Sequence, residues 1–217
     1  MVPELSQPHR SGSIPSNGGA MSRKNRTDVV AAASVMFAEQ GFHGTSMRDL
    51  AKKLGLMGSS LYSHVVSKDE LLVDVVREAS SRFQTLADEV ATMPGTAIQR
   101  LSRLVHGHLQ ILVKDPHQAR TFLNETRFLP EPERDTAVAM FDRYQRAYRD
   151  VLSSGCNSGE FRSDLDVHLA ANLVLSLLNG TQRWFNADGA LSVESLASEV
   201  HRLLTLGLNP DPEANAA

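Results

Sequence analysis

The 217 residues carry 22 Lys and Arg against 25 Asp and Glu, a formal charge of −3, with 41% hydrophobic residues and one cysteine. That is the balance of an ordinary globular chain with ample core. A single cysteine excludes an internal disulfide and a thiolate metal cluster, and no run approaches the ~18 apolar residues of a membrane span.

Residues 1–20 are rich in Ser, Gly and Pro without apolar periodicity and read as a disordered tail, with Met21 as a second candidate start. The N-terminus lacks the apolar core of a signal peptide, so a cytoplasmic location is expected. A helix is expected from about Arg23 to Gln40, with Val29, Val30, Ala33, Met36 and Phe37 on its buried face and Gly41 ending it. Thr45 or Ser46 can cap a second helix, in which Met47, Leu50, Ala51 and Leu54 fall at i, i+3, i+4 and i+7. Gly55 ends it, and a short segment from Gly58 to His64 follows, with Leu61 and Val65 pointing inward. Two short helices around a tight Gly-containing turn make a helix-turn-helix. Ser67-Lys68-Asp69-Glu70 has the form of a capping box and opens a long helix to about Thr92, broken at Pro94-Gly95. From Met21 to Lys68 there are seven Lys and Arg against three acids, so the stretch is +4 while residues 69–217 carry −7. A basic head on an acidic body suits a protein that meets phosphates at one end.

Within this stretch Ala33, Phe37, Gly41, Thr45, Asp49-Leu50-Ala51, Gly55, Leu61-Tyr62, His64 and Ser67-Lys68 form a spaced pattern. The pattern resembles the DNA-binding signature of the tetracycline-repressor family over about Arg26 to Leu72. The resemblance implies that Gly58 to His64 enter a major groove, with Arg26, Thr45, Ser46, Arg48, Gly58, Ser59, Ser60, Tyr62, His64 and Lys68 as DNA-binding residues. Small hydroxyl side chains let the backbone come close, and the Tyr62 phenol and the Lys68 ammonium suit phosphate oxygens. Two positions depart from the family. Met57 stands where a Ser or Thr usually caps the recognition helix, which leaves Ser59 or Ser60 as substitutes, and Val65 replaces a Phe.

Beyond Pro94 helical stripes cover Ala97 to Val113, Pro116 to Phe128, Glu133 to Ser153, Leu169 to Phe185 and Val193 to Leu208, with Gly155, Gly159 and Phe161 to Leu165 assigned to a loop. The expected fold is all-α with about nine helices. It comprises a three-helix head over 21–68, a ligand-binding and dimerisation body over 69–208, and a C-terminal tail over 209–217. The segment 169–185 is apolar on much of its circumference and needs cover on two sides. In the resembled family the last two helices dimerise as a four-helix bundle, which implies a homodimer on a palindromic operator.

His106, His108, Gln110, Arg127, Tyr144, Tyr148, Asn172, Asn179, Arg183 and Trp184 interleave with the apolar stripes and are candidates for lining an effector pocket, although residues such as His108, Tyr144 and Trp184 at helical spacing are more often core or dimer contacts. His106 and His108 face different ways, so no metal site is expected, and no cofactor motif is present. The phrase Glu160 to Asp166, followed by Arg183-Trp184, is similar to family members that sense acyl-CoA thioesters in fatty-acid, steroid or aryl-acid catabolism. It implies an acyl-CoA or another large apolar effector, with Arg127 or Arg183 facing its phosphate or carboxylate. The implied function is a ligand-responsive repressor that leaves its DNA when the effector binds. An all-helical enzyme is the alternative, but no catalytic spacing supports it. A helical interaction module that binds no DNA would leave the basic head unexplained.

Overall fold

Side-chain caps and glycine stops set most of the helix boundaries. The structure, a computed structural model, describes residues 24–210, and among these it has nine α-helices and no strand. The tail expected over 1–20, Met21, Arg23 and residues 211–217 lie outside the described residues.

Helix α1 (Arg26–Gln40) begins three residues later than the periodicity suggests, because Asn25 and Asp28 bond reciprocally across its first turn. Ser46 caps α2 (Met47–Leu54) by accepting from the Asp49 amide, and Gly55 stops it at φ 68°. That left-handed residue turns the chain towards α3 (Gly58–Tyr62), which is shorter than the expected segment to His64. Met57 gives α3 no side-chain cap, and Ser59 and Ser60 do not substitute, since both lie inside the helix. Burial holds it instead: Leu61 and Val65 are 0% and 2% exposed. A five-residue helix has too few internal bonds to stand alone, so its geometry is set by what it leans on.

Ser67 caps α4 (Lys68–Thr92), but the expected box is only half made, because the Glu70 carboxylate accepts from the Val66 amide and from Arg26. Then come α5 (Ala97–Lys114), α6 (Pro116–Glu125) with a 3-10 turn at Thr126–Phe128, and α7 (Glu133–Ser158). The chain closes with α8 (Val167–Gly180), a second 3-10 turn at Thr181–Arg183, and α9 (Val193–Leu208). Helix α4 packs against α1, α5, α6 and α7, so one rod touches both the head and the body. Helix α9 lies on α5, and α8 lies on α7.

One loop assignment is overturned. Gly155 is buried inside α7, which runs on to Ser158 before Gly159 turns left-handed at φ 76°. A side chain at Gly155 would come within 2.1 Å of the Phe161 ring, so the missing Cβ makes the seat for that ring. The surrounding phrase is a clasp. The Glu160 carboxylate caps α5 by accepting from the Ala97 and Ile98 amides at 3.0 Å, and the Arg162 amide donates to the Leu208 carbonyl. Burial pushes the Glu160 carboxyl up, but those amides outweigh it and hold the group below its ordinary value.

Candidate functional site

The head presents one open face. Met57, Gly58, Ser59, Ser60, Tyr62 and Ser63 are exposed around α3 while Leu61 points inward. Arg48, Lys52 and Lys53 on α2 are exposed as well, and Ser46 is exposed with its hydroxyl bonded to Asp49. Ser46, Arg48, Gly58, Ser59, Ser60 and Tyr62 are therefore accessible as a groove-facing set requires.

The other four expected contacts are engaged inside the fold. Thr45 is 3% exposed and its hydroxyl donates to the Gly41 carbonyl, so it cannot reach a phosphate from there. Lys68 donates to the carbonyls of Phe42 and Thr45 at 2.9 and 3.0 Å and lies 4.3 Å over the Phe42 ring. Its ammonium thus stitches the turn after α1 to the start of α4. Arg26 donates to Asp74, Glu70 and the His64 carbonyl, and pairing with Arg26 holds the Glu70 carboxyl below its usual range. His64 is half-buried beside that junction. For Arg26 and Lys68 the physical reason is shared: a cation is assigned to phosphate by its sign, but its acidic and carbonyl partners lie 23 to 48 residues away and become visible only on folding.

In the body a cavity of about 50 Å³ lies among α4, α5, α6, α7 and α8, walled by Ser80, Phe83, Gln84, His108, Phe122, Leu123, Met140, Phe141, Tyr144, Leu175 and Asn179. Phe83, Phe122 and Phe141 stack in series, with ring centroids 5.3 and 4.6 Å apart. A groove of about 270 Å³ between α4 and α7 shares Ser80 and Met140 with the cavity. An unbranched Met at the shared wall is a side chain that can move aside at small cost. Gln84 donates to the Met140 carbonyl, while its buried Oε1 has no partner among the described residues.

Polar groups converge on one side of this cavity. The His108 Nε2–H donates to Asn179 Oδ1 at 3.1 Å, and Nδ1 accepts from the Tyr144 hydroxyl at 3.1 Å. Tyr148, fully buried beneath, donates to the Leu104 carbonyl. Burial drives the His108 pKa down to about 4, against a smaller opposing effect of the Asn179 bond, and raises both tyrosines. His108 is therefore neutral at physiological pH, a fixed donor and acceptor pair and not a charge. An unfolded histidine titrates near 6.5. The contribution of His108 to stability should then be flat above pH 6.5 and be lost as pH drops from 6.5 to about 4, because only the unfolded chain takes up its proton in that window. The expected loss from this group is about 3 kcal/mol. Urea unfolding at a series of pH values should show it, and His108→Phe should reduce the slope, leaving the part owed to half-buried His201, whose pKa burial also lowers; an equal slope in the variant would rule out His108 as a source.

Among the expected pocket residues, Tyr144 and Asn179 line the cavity with His108, and Tyr148 supports them from below. The others lie elsewhere. His106 bonds back to the Ser102 carbonyl, Gln110 is exposed in a cleft between α4 and α5, and exposed Asn172 bonds Gln145. Arg183 and Trp184 are exposed beyond α8, Trp184 at 63%. Arg127 lies over the Phe128 ring at the end of α6. Phe83, Phe122 and Phe141 form an aromatic wall that the sequence does not announce, because there those residues are indistinguishable from core stripe.

The cavity and the head share a helix. Phe122 of α6 walls the cavity, and three residues on, the Glu125 carboxylate accepts from the Phe42 amide at 2.8 Å in the turn after α1. Thr121 donates to the Ser34 carbonyl of α1, and the Phe42 ring stacks on Phe128. A shift of α6 must therefore move or break its bonds to the head.

Two family models match this chain: bacterial regulatory proteins of the tetR family over residues 29–75, and a tetracyclin repressor-like C-terminal domain over residues 94–208. The HTH-type transcriptional repressor KstR2 of Mycolicibacterium smegmatis is 26% identical over 193 residues, covering 84% of this chain and 90% of that protein. The solved structure of the ketosteroid transcriptional regulator KstR2 of Mycobacterium tuberculosis superposes with a TM-score of 0.82 at 24% identity, over 86% of this chain and 95% of that one. AibR, solved with isovaleryl coenzyme A and operator DNA, gives 0.75 at 20% identity, over 84% and 98% of the two chains.

Proposed function

The chain belongs to the tetR family of bacterial regulatory proteins, and we propose that it is a one-component repressor that releases its operator when an acyl-CoA thioester or a similar large apolar compound enters the body. The observation that carries this reading is the connection through α6, whose Phe122 walls the apolar cavity and whose Glu125 holds the turn between α1 and α2. The cavity of about 50 Å³ is far below the ~300 Å³ or more of a ligand site, so an effector must push its walls apart. Displacing Phe122 displaces α6, and the head follows because it is bonded there. The effector acts only through its differential affinity for the two arrangements. The relatives support the ligand class: AibR was solved with an acyl-CoA, and KstR2 is named for ketosteroid regulation.

In this reading residues 21–68 are the DNA-binding unit and 69–208 the effector-binding and dimerisation unit. Ser46, Arg48, Gly58, Ser59, Ser60 and Tyr62 meet the DNA, with Met57 at the groove edge. Arg26, Thr45, His64 and Lys68 place that surface from behind. The protein works as a homodimer on a palindrome, in the cytoplasm. Leu169, Leu173 and Leu177 of α8 and Leu203 and Leu206 of α9 support the dimer, because they expose an apolar face that nothing among the described residues covers. Among the described residues no helix is long and apolar enough to cross a membrane, so that face is not a bilayer span.

The test is binding to a duplex carrying the upstream region of the protein's own gene, across a salt series, with and without a panel of acyl-CoA thioesters. The expected result is salt-sensitive binding that one thioester weakens by roughly 5- to 150-fold. Binding no tighter than to random duplex would overturn the repressor reading, and binding that no thioester relieves would overturn the ligand class.

A further inference from the structure

The end of α1 and the outer face of α6 enclose a cleft of about 520 Å³, separate from the aromatic cavity. Arg120, Leu123, Asn124 and Arg127 stand at i, i+3, i+4 and i+7 and so share one face of that segment, which the cleft uses as a wall. Glu39, Gly41 and Glu125 are on the opposite and inner walls. Leu123 lines both this cleft and the aromatic cavity, so that leucine belongs to the wall of a polar chamber and of an apolar one.

The charges in the cleft are unequally committed. Glu125 is held by the Phe42 amide, and Glu39 lies 4.0 Å from Lys53. Arg120 and Arg127 are exposed and make no ion pair among the described residues, while the Phe128 ring beneath Arg127 holds its guanidinium at 4.7 Å. Two guanidiniums flanking an apolar gate are arranged for a ligand with a multiply charged anionic head and an apolar tail. Guanidinium forks suit phosphate oxygens, whereas a bare carboxylate would leave one of the two unused.

We propose that Arg120 and Arg127 hold the phosphates of a CoA thioester whose acyl end passes Leu123 into the aromatic cavity. This rests on the ligand class proposed above and assigns it a second chamber. It also gives the head group an effect of its own. Phosphates in this cleft stand beside Glu125, and like-charge repulsion weakens its bond to the Phe42 amide, the link that fixes the head turn. A thioester then loosens the α1–α6 joint from both ends, through Phe122 and through Glu125, while a free fatty acid acts only through Phe122.

Calorimetric titration of the full-length protein tests this with dodecanoyl-CoA, dodecanoate, CoA and inorganic phosphate. The subjects are the wild type, the Arg120→Ala/Arg127→Ala double variant and an Arg146→Ala control on α7. Both target side chains are exposed, so the double variant should melt as the wild type does. The expected result is that the double variant loses about tenfold or more in affinity for dodecanoyl-CoA and keeps its affinity for dodecanoate, with the control unchanged. Unchanged dodecanoyl-CoA affinity in the double variant overturns the assignment while leaving the thioester reading in place. Loss of inorganic phosphate binding with no change for dodecanoyl-CoA overturns it too, making the cleft a free-anion site. A wild type that binds neither dodecanoyl-CoA nor dodecanoate removes the ligand class and this site together.

Discussion

Phe161→Ala should destabilise the protein by about 3–5 kcal/mol, and Gly155→Ala should destabilise it as well. The second half is the sharper, because its sign runs against propensity. In a helix interior Gly to Ala ordinarily gains about 1 kcal/mol. Here the new methyl would stand 2.1 Å from Phe161 Cδ2, and the ring cannot retreat easily, being 1% exposed in the core. Overpacking of that kind costs about 1–3 kcal/mol and outweighs the helix gain. The two changes should also be coupled: with Phe161 already cut to Ala, the methyl at Gly155 enters vacated space and the double variant costs less than the sum. Urea melts of the wild type, both single variants and the double variant measure this directly. A stabilised Gly155→Ala protein would show that the close seat does not exist. The consequence reaches further than α7, because Phe161 sits between Glu160, which caps α5, and Arg162, which bonds the last residue of α9. Loosening the seat loosens the packing of α5 that positions His108.

The second large effect is expected in the head. Ser60→Glu should weaken operator binding by about 10- to 100-fold or more at low salt while leaving the melting curve unchanged. Ser60 is exposed on α3 beside Ser59, and in the proposed reading these small side chains let the helix backbone approach a groove. A glutamate there brings bulk and a negative charge against the phosphates. Because the new term is partly electrostatic, the gap between variant and wild type should narrow as salt is added. Fluorescence anisotropy on a labelled upstream duplex reads both quantities, and wild-type binding by Ser60→Glu would mean that α3 is not the groove-facing element.

What the sequence determined by itself is the local order of the chain. The apolar stripes at three and four residues, Ser46 and Ser67 at helix starts, and Gly41 and Gly55 at helix ends placed nine helices in order. The spacing from Ala33 to Lys68 carried the family. These signals are legible because each depends on residues within about one turn of one another. The tertiary structure alone decided which side chains are free. Lys68, Arg26 and Thr45 have their partners within the fold, and Glu160 to Arg162 close a clasp between α5, α7 and α9. The cavity shows the same division. Tyr144 and Asn179 could be picked out by their polarity among apolar neighbours, but Phe83, Phe122 and Phe141 become a wall only where α4, α6 and α7 meet. A polar group announces in sequence that it needs a partner, whereas only the assembled fold shows which partner satisfies it and which groups are left for a ligand.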